Sequence, residues 1–310
     1  MHTSQPHAPR VSVVMPVFNG QRFIAEAVRS VLASRFGDFE LLVLDDGSTD
    51  GSSAEAMRAA DGDPRLRVIP LSHGGVAAAR NAGLAHARGV LIANLDADDI
   101  MFPERLTRQV AYLDRHPGCV AVGSRALVID AAGKPVRIGV RVFTHSEIDR
   151  AHLDGRGGGI WNPTAMFRKQ AAMAAGGYWK ELHPTGEDHD FWLRMAEVGQ
   201  LANLPDVLVR YRIHEGNASV GLNKLEQRLT VTLATLRTTF ARRGITDRDP
   251  VKGATPPLRA WERWCDRALL RYYSGDRLGA LGPALVGAAL RPGAPAARSA
   301  LRTVLFAGPK

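Results

Sequence analysis

The sequence predicts an α/β fold, with a mostly parallel central sheet flanked by helices and then a helical C-terminal segment. Three observations carry that expectation. Short apolar, β-branched runs alternate with segments of helical period over roughly the first hundred residues. Each run closes on a turn bearing an acid or a proline. Beyond about residue 220 the strand pattern stops and only helical spacing remains.

Val11–Met15 is a β-branched run bounded by Pro16, and Asn19-Gly20 reads as a turn. Phe23 to Ala33 places Phe23, Ala27 and Val31, and Ile24, Val28 and Leu32, on one helical face. Glu40–Leu44 is a second buried strand closed by Asp45-Asp46-Gly47-Ser48. A short helix over Ala54–Ala60, a strand over Leu66–Leu71, an Ala-rich helix over Val76–Ala87 and a strand over Val90–Leu95 follow. Repeats of this length build a parallel sheet that binds ligands beyond the carboxyl ends of its strands. Those ends read Pro16-Val17-Phe18, Asp45-Asp46 and Asp96-Ala97-Asp98, so the acids share one rim. Further on come a helix from Pro103, two strand-like runs (Val120–Gly123 and Leu127–Asp130), a glycine loop at Arg156–Gly159 and a helix over Glu187–Val198. Helices are expected over Leu222–Arg243 and Leu258–Tyr273, then a helical hairpin around Gly275–Leu290 and an Ala/Pro/Gly-rich stretch over Arg291–Ala297.

The 310 residues are 45% hydrophobic and 23% charged, ordinary for a globular protein with a full core. The net charge of +9 is uneven: 24 basic and 24 acidic side chains lie up to His214, then 16 basic against 7 acidic from Glu215 to Lys310. That pattern suggests a neutral body and a basic tail that meets something anionic. Cys119 and Cys265 stand far apart, and the polar start from Met1 to Arg10 does not read as a signal peptide, which favours a reducing cytoplasm. No apolar run reaches the ~18–20 residues of a spanning helix.

Four constellations carry chemistry. Asp96 and Asp98, two apart at a strand end, can face one divalent cation, for which hard oxygens are the fitting ligands. The alternative is that Asp99 caps a helix beginning at Ile100. Asp45-Asp46 can accept hydrogen bonds from a base or ribose, or simply shape a turn. Gly186-Glu187-Asp188-His189-Asp190 places acids at a helix start, either as partners of the helix dipole or as a general base. Val209–His214 ends a strand-like run on an imidazole that can join the same cation.

In this order the motifs resemble the family 2 glycosyltransferases of the GT-A fold. The matching pieces are Val11–Gly20, Asp45–Asp50, Ala79-Arg-Asn-Ala-Gly83, Leu95–Asp99, Trp161–Arg168, Gly186–Arg194 and Tyr211–His214. The resemblance covers about residues 10–220, with a nucleotide-sugar-binding half near 10–100 and an acceptor half near 101–220; residues 221–310 form a basic helical segment outside it. It implies that Pro16 and Phe18 border the base, that Asp45 and Asp46 read it, and that Arg80 and Asp96 face the nucleotide. Asp98 and His214 would hold Mn²⁺ or Mg²⁺, and Asp188 would be the base. Asn162, Thr164 and Glu187 would shape the sugar and acceptor pocket. The implied reaction is inverting transfer from a nucleotide sugar, UDP-sugar favoured, to a glycan or lipid-linked acceptor in cell-surface polysaccharide or glycoconjugate synthesis. A nucleotidyltransferase of similar fold would carry a Gly-rich basic loop after the first strand, which Pro16–Gly20 lacks. A non-catalytic nucleotide-sugar binder would be expected to have lost Asp98 or Asp188. The tail's aromatics recur at helical spacing, which favours a core over nucleic-acid binding. The tail is expected either to make peripheral contact with the inner membrane face or to pack on the catalytic domain or form a homodimer contact.

Overall fold

The computed structural model describes residues 8–155, 158–179, 186–217, 222–246 and 259–306. Arg156 and Gly157 of the expected glycine loop, and the boundary expected near residue 220, lie outside these. The first half follows the expected alternation: β1 (Val11–Val17), α1 (Ile24–Leu32), β2 (Phe39–Asp45), α2 (Ser52–Ala60), β3 (Leu66–Pro70), α3 (Val76–His86) and β4 (Leu91–Asn94). Then come β5 (Ile100–Met101), α4 (Arg105–Arg115), β6 (Cys119–Ile129), β7 (Pro135–Gly139), α5 (His145–Leu153), a 3-10 turn at Asn162–Thr164, β8 (Met166–Arg168), α6 (Lys169–Ala174), α7 (Glu187–Val198) and β9 (Gln200–Arg212). Helices α8 (Leu222–Arg243), α9 (Ala260–Tyr273), α10 (Arg277–Leu290) and α11 (Pro295–Phe306) close the chain.

Strands run β3-β2-β1-β4-β8-β6-β9-β5, with β7 paired to β6. The pairings among β1 to β4 are all parallel. Strand β8 enters antiparallel between β4 and β6, and β9 runs parallel to β6, so the second half of the sheet is mixed. Strand β1 is covered on both faces, which explains a sequence apolar but for Ser12, whose buried hydroxyl donates to Glu40. Val11, Val13, Met15 and Val17 pack under α1 and α4, while Val14 packs on the opposite side with α3 and α7. There a Cβ on Gly83 of α3 would meet Val14 Cγ1 at 2.5 Å, so only glycine lets that helix come so close. In register, Val17 faces Asp45, so β1 and β2 end together, while β4 ends at Asn94 opposite Val14 and Leu95 N donates to Val14 O.

Two expectations are corrected. The two runs at 120–123 and 127–130 form one strand, β6. Its polar middle, Ser124 and Arg125, is buried with partners instead of breaking the strand, at the cost of register irregularities against β9. The hairpin expected over Gly275–Leu290 is a single helix, α10, despite Pro283. The ring of Pro283 cannot bond the carbonyl four residues back, and that carbonyl, on Gly279, accepts instead from Arg271 Nη1 at 3.1 Å. The Ala/Pro/Gly-rich stretch opens a further helix, α11.

The C-terminal helices divide. Helix α8 packs on α7 through Leu236 and Phe240 against Leu193 and Leu153, with Arg243 paired to Asp149 and Glu197. Helices α9 and α11 cover Leu127, Ile129, Ile138 and Val207 of the sheet. Cys265, Leu269 and Tyr272 are buried, and Trp261 and Tyr273 pack against the core beneath α9.

Candidate active site

At the end of β1, Phe18 is 49% exposed and stacks on His73, with ring centroids 4.3 Å apart. Pro16 is half-buried opposite Leu44. The Asp46 carboxylate is buried and accepts from Gly74 N at 2.9 Å and Gly75 N at 2.8 Å, with His73 Nδ1 3.0 Å away. It thereby ties the loop before α3 to the rim. Gly75 takes φ +83 to present its N–H, a conformation natural to glycine. Asp45 accepts from Ser48 N at 2.8 Å and from the Ser53 hydroxyl, closing its own turn. Asp45 thus works within the turn, and Phe18 with His73 supplies the open aromatic surface.

Arg80, on α3, is the hub of a second group. Its guanidinium donates to Glu187 Oε1 at 2.6 Å and Asp96 Oδ1 at 3.0 Å, joining β4, α3 and α7. With its oxygen turned toward the guanidinium, the Asn162 amide accepts from Arg80 Nε and Nη2 at 2.9 Å. Burial works against the charge of Arg80, but Asp96 and Glu187 outweigh it and raise its pKa. Burial and the adjacent Asp188 push Glu187 up to about 7, against the pull of Arg80. Asp188 itself is half-buried and within electrostatic reach of Arg80 and Tyr178. Its Oδ1 accepts from His189 N at 2.8 Å. Asp190, by contrast, is buried and held by Arg194 at 2.5 Å, a structural pair within α7.

The third group surrounds Asp98. Its Oδ2 lies 2.9 Å from His214 Nε2 and accepts from Asn217 Nδ2 at 3.1 Å. Gly216 N donates to His214 Nδ1 at 3.1 Å, which leaves the imidazole proton on Nε2, toward Asp98. Asp99 does not cap a helix. Its Oδ1 accepts from Arg212 N at 2.8 Å and ties the turn to β9, because Ile100-Met101 forms the strand β5 and the next helix starts only at Arg105. Arg212 is buried and donates to Asp98 O at 2.9 Å and Glu26 at 2.6 Å. Arg105 is fully buried beneath the acids and donates to Asn94 O and Ala165 O. Burial lowers its pKa to about 9, although Asp99 and Asp96 favour its charge.

A divalent cation suits this third group. Burial and the charge of Asp96 raise the pKa of Asp98, while burial with Asp98 and Asp96 raises that of Asp99 well above the carboxylate range. Such crowding favours a positive charge. Asp99 Oδ2 is also buried without a hydrogen-bond partner. Among the described residues no group of three or more His, Cys, Asp and Glu forms a closed cage. Asp98 is therefore part of an open ligand set that leaves positions for phosphate oxygens, and His214 joins it through Nε2 in the tautomer protonated at Nδ1, which gives up the Gly216 contact.

The expected residues thus fall into three adjoining groups, with one exception. Thr164 is wholly buried and its hydroxyl donates to Trp161 O at 2.7 Å, so it holds the 3-10 turn and does not line a pocket. His73, Arg105, Tyr178, Arg212 and Asn217 were not singled out from sequence. Arg212 lay inside a motif already noted, while the others carried no local signal. A small crevice between α9 and β6, lined by Arg125, Arg141 and Trp261, is separate from these groups.

Parallel strands carrying acids at one rim, an antiparallel second half and a late histidine reaching Asp98 define a glycosyltransferase of the GT-A class. The chain belongs to glycosyl transferase family 2, whose profile matches residues 12–174. It is 36% identical to EpsE of Bacillus subtilis over 209 residues, 66% of this chain and 73% of EpsE. It is 31% identical to the amylovoran biosynthesis glycosyltransferase AmsE of Erwinia amylovora over 207 residues, 65% of this chain and 75% of AmsE. The mannosyltransferase PcManGT of Pyrobaculum calidifontis, solved with GDP-Man and Mn²⁺, shares the fold at a TM-score of 0.57 and 20% identity, covering 94% of this chain and 79% of that one. S. aureus TarS with UDP-GlcNAc does so at 0.54 and 17%, covering 95% and 90%.

Proposed function

We propose that the protein transfers a sugar from a nucleoside-diphosphate donor, UDP-sugar favoured, to an acceptor hydroxyl with inversion. The observation that carries this reading is the meeting of Asp96, Arg80, Glu187 and the Asp188 helix start at the rim where Asp98 pairs with His214. Phe18 and His73 offer a face for the base, and Asp46 holds their loop in place. Asp45 braces the turn behind, with Pro16 beside it. Arg80 orients Asp96 and Glu187 toward the ribose and sugar, and Asn162 steadies Arg80 from the acceptor side. Asp188 takes the proton of the acceptor hydroxyl, which forms its bond to the anomeric carbon as the bond to the diphosphate oxygen breaks. The electron pair leaves with the nucleoside diphosphate, and a single displacement through an oxocarbenium-like state inverts the centre. Asp98 and His214 would hold Mn²⁺ or Mg²⁺, which supplies Lewis-acid neutralisation of the leaving diphosphate.

Similarity to EpsE and to AmsE, named for amylovoran biosynthesis, supports a glycan or lipid-linked acceptor in cell-surface polysaccharide or glycoconjugate assembly. Two separate buried thiols, Cys119 and Cys265, support a cytoplasmic setting. UDP- and GDP-sugars with and without Mn²⁺, read by melting temperature and nucleotide release, test the donor and the metal. Asp98→Asn should weaken donor binding and abolish release, because an amide is a poor ligand for a hard cation. Asp188→Asn should keep donor binding and lose roughly 10²–10⁴ in turnover. Full activity in EDTA would sink the metal assignment. Collapse of donor affinity in Asp188→Asn would move the base to Glu187, since Asp190 is committed to Arg194.

A further inference from the structure

Helix α10 is the outermost element of the C-terminal layer. Ala280, Ala284 and Gly287 are buried on its inner side, and a Cβ on Gly287 would meet Cys265 Sγ of α9 at 2.7 Å. Its outer side carries no packing partner among the described residues: Leu278 is 91% exposed, Leu285 51% and Leu290 53%. Leu278, Gly282, Leu285 and Ala289 recur at helical spacing, so they form one stripe. Helix α11 runs back alongside and ends on Leu305 and Phe306, the latter 79% exposed. Monomeric proteins seldom leave such apolar surface bare without a use for it.

The charge around this face is mostly basic. Arg277, Arg291, Arg298 and Arg302 are exposed and no Asp or Glu lies between Arg277 and Phe306, although Arg302 pairs with Asp206 at 2.6 Å and Asp276 caps the start of α10. On α8, Arg242 and Arg243 are instead engaged by carboxylates of the body, Glu197 and Asp149. We propose that the outer face of α10, with the end of α11, docks on an anionic lipid surface. The helix lies in the headgroup plane, its leucines reaching the acyl boundary and the arginines meeting phosphates. At 14 residues it lies on the bilayer without crossing it, and no helix among the described residues is long and apolar enough to span. A second copy fits less well, because a two-fold contact through this face would set Arg291 and Arg298 against arginines, while Asp206 and Asp276 are already engaged by Arg302 and Arg271. This docking goes beyond the glycosyl-transfer reading and does not depend on it.

Vesicle flotation of the full chain tests it, using phosphatidylcholine alone or mixed with phosphatidylglycerol, at low and high salt. The protein should float with the anionic vesicles, release in high salt and stay behind with phosphatidylcholine. Arg291→Gln with Arg298→Gln should lower partitioning roughly twentyfold, each basic residue at an anionic surface being worth about a factor of five. Leu278→Ser with Leu285→Ser should abolish flotation while the melting temperature moves little, since Leu278 is almost wholly in water and Leu285 half so. Recovery in the supernatant under all conditions overturns the proposal. So does flotation unaffected by both variant pairs, or a dimer in light scattering that the leucine variants split, which assigns the face to a second copy.

Discussion

Glu187 and Asp188 are adjacent on α7 yet stand in different company, one paired inward with Arg80 and the other half-open at the rim. Since Glu187 is raised from 4.5 to about 7, the folded chain keeps a proton there that the unfolded chain has already released. Folding therefore loses free energy as pH rises through that window, and this contribution is complete by about pH 7. Glu187→Gln fixes the neutral form, so the difference in melting temperature between variant and wild type should move in the variant's favour from pH 4.5 to 7. Parallel melting curves across that range would show that Glu187 titrates normally. Arg212 makes a further point at this scale. Read from sequence it is one polar residue in a strand, but in the fold it contacts Asp98, Asp99 and Glu26 at once and sets the shape of the acidic turn.

The start of α7 is set by another element. Gly186 has φ +99, and a Cβ there would meet Val231 Cγ1 of α8 at 2.5 Å. The helix carrying the proposed base is thus placed by close packing with α8, which lies outside the stretch matched by the family profile. Gly186→Ala should cost about 1–2 kcal/mol from the left-handed backbone alone. It should also shift Glu187 and Asp188 and reduce turnover more than donor affinity. Adding Val231→Ala relieves the contact but not the backbone, so turnover should recover in part while stability does not. Unchanged turnover in Gly186→Ala would mean that α8 does not position the base. Helix α10 shows a related compensation, with an arginine of α9 occupying the carbonyl that Pro283 leaves vacant.

Across the whole molecule, the C-terminal helices complete the core of the sheet. Arg125 of β6 and Arg141 both pair with Asp266 of α9, in a crevice where Arg125 is almost wholly buried. Removing one partner from such a site leaves charge uncompensated, so Asp266→Ala should destabilise by about 3–5 kcal/mol. Chemical denaturation of the variant measures this directly, and a loss below about 1 kcal/mol, the range of exposed pairs, would show that the helical layer is held by apolar contacts alone. Leu127, Ile129, Ile138 and Val207 lie beneath that layer. The basic tail is therefore two things at once: an inner surface that finishes the fold and an outer one that carries arginine around exposed leucine.

Local pattern was enough for β1 to β4, their intervening helices and the rim where Asp46, Asp96 and Asp98 stand, because burial on two faces writes long apolar runs into the central strands and alternation with helices marks the edge strand β3. The order of motifs likewise pointed to family 2. Pattern failed where burial depends on a distant partner. Ser124 and Arg125 look like a break in β6, and only Asp266, 141 residues beyond Arg125, makes a buried arginine tolerable there. Asp99 reads as a helix cap until Arg212, 113 residues on, claims its carboxylate. Thr164 reads as a pocket residue until its hydroxyl is found on a backbone carbonyl within the buried turn. Periodicity records which side of an element is apolar, not which element will cover it. Sequence by itself therefore determined the strands, the rim and the class of chemistry. The tertiary structure alone decided which charges are neutralised, which of two adjacent acids stays open, and which face of the tail remains in water.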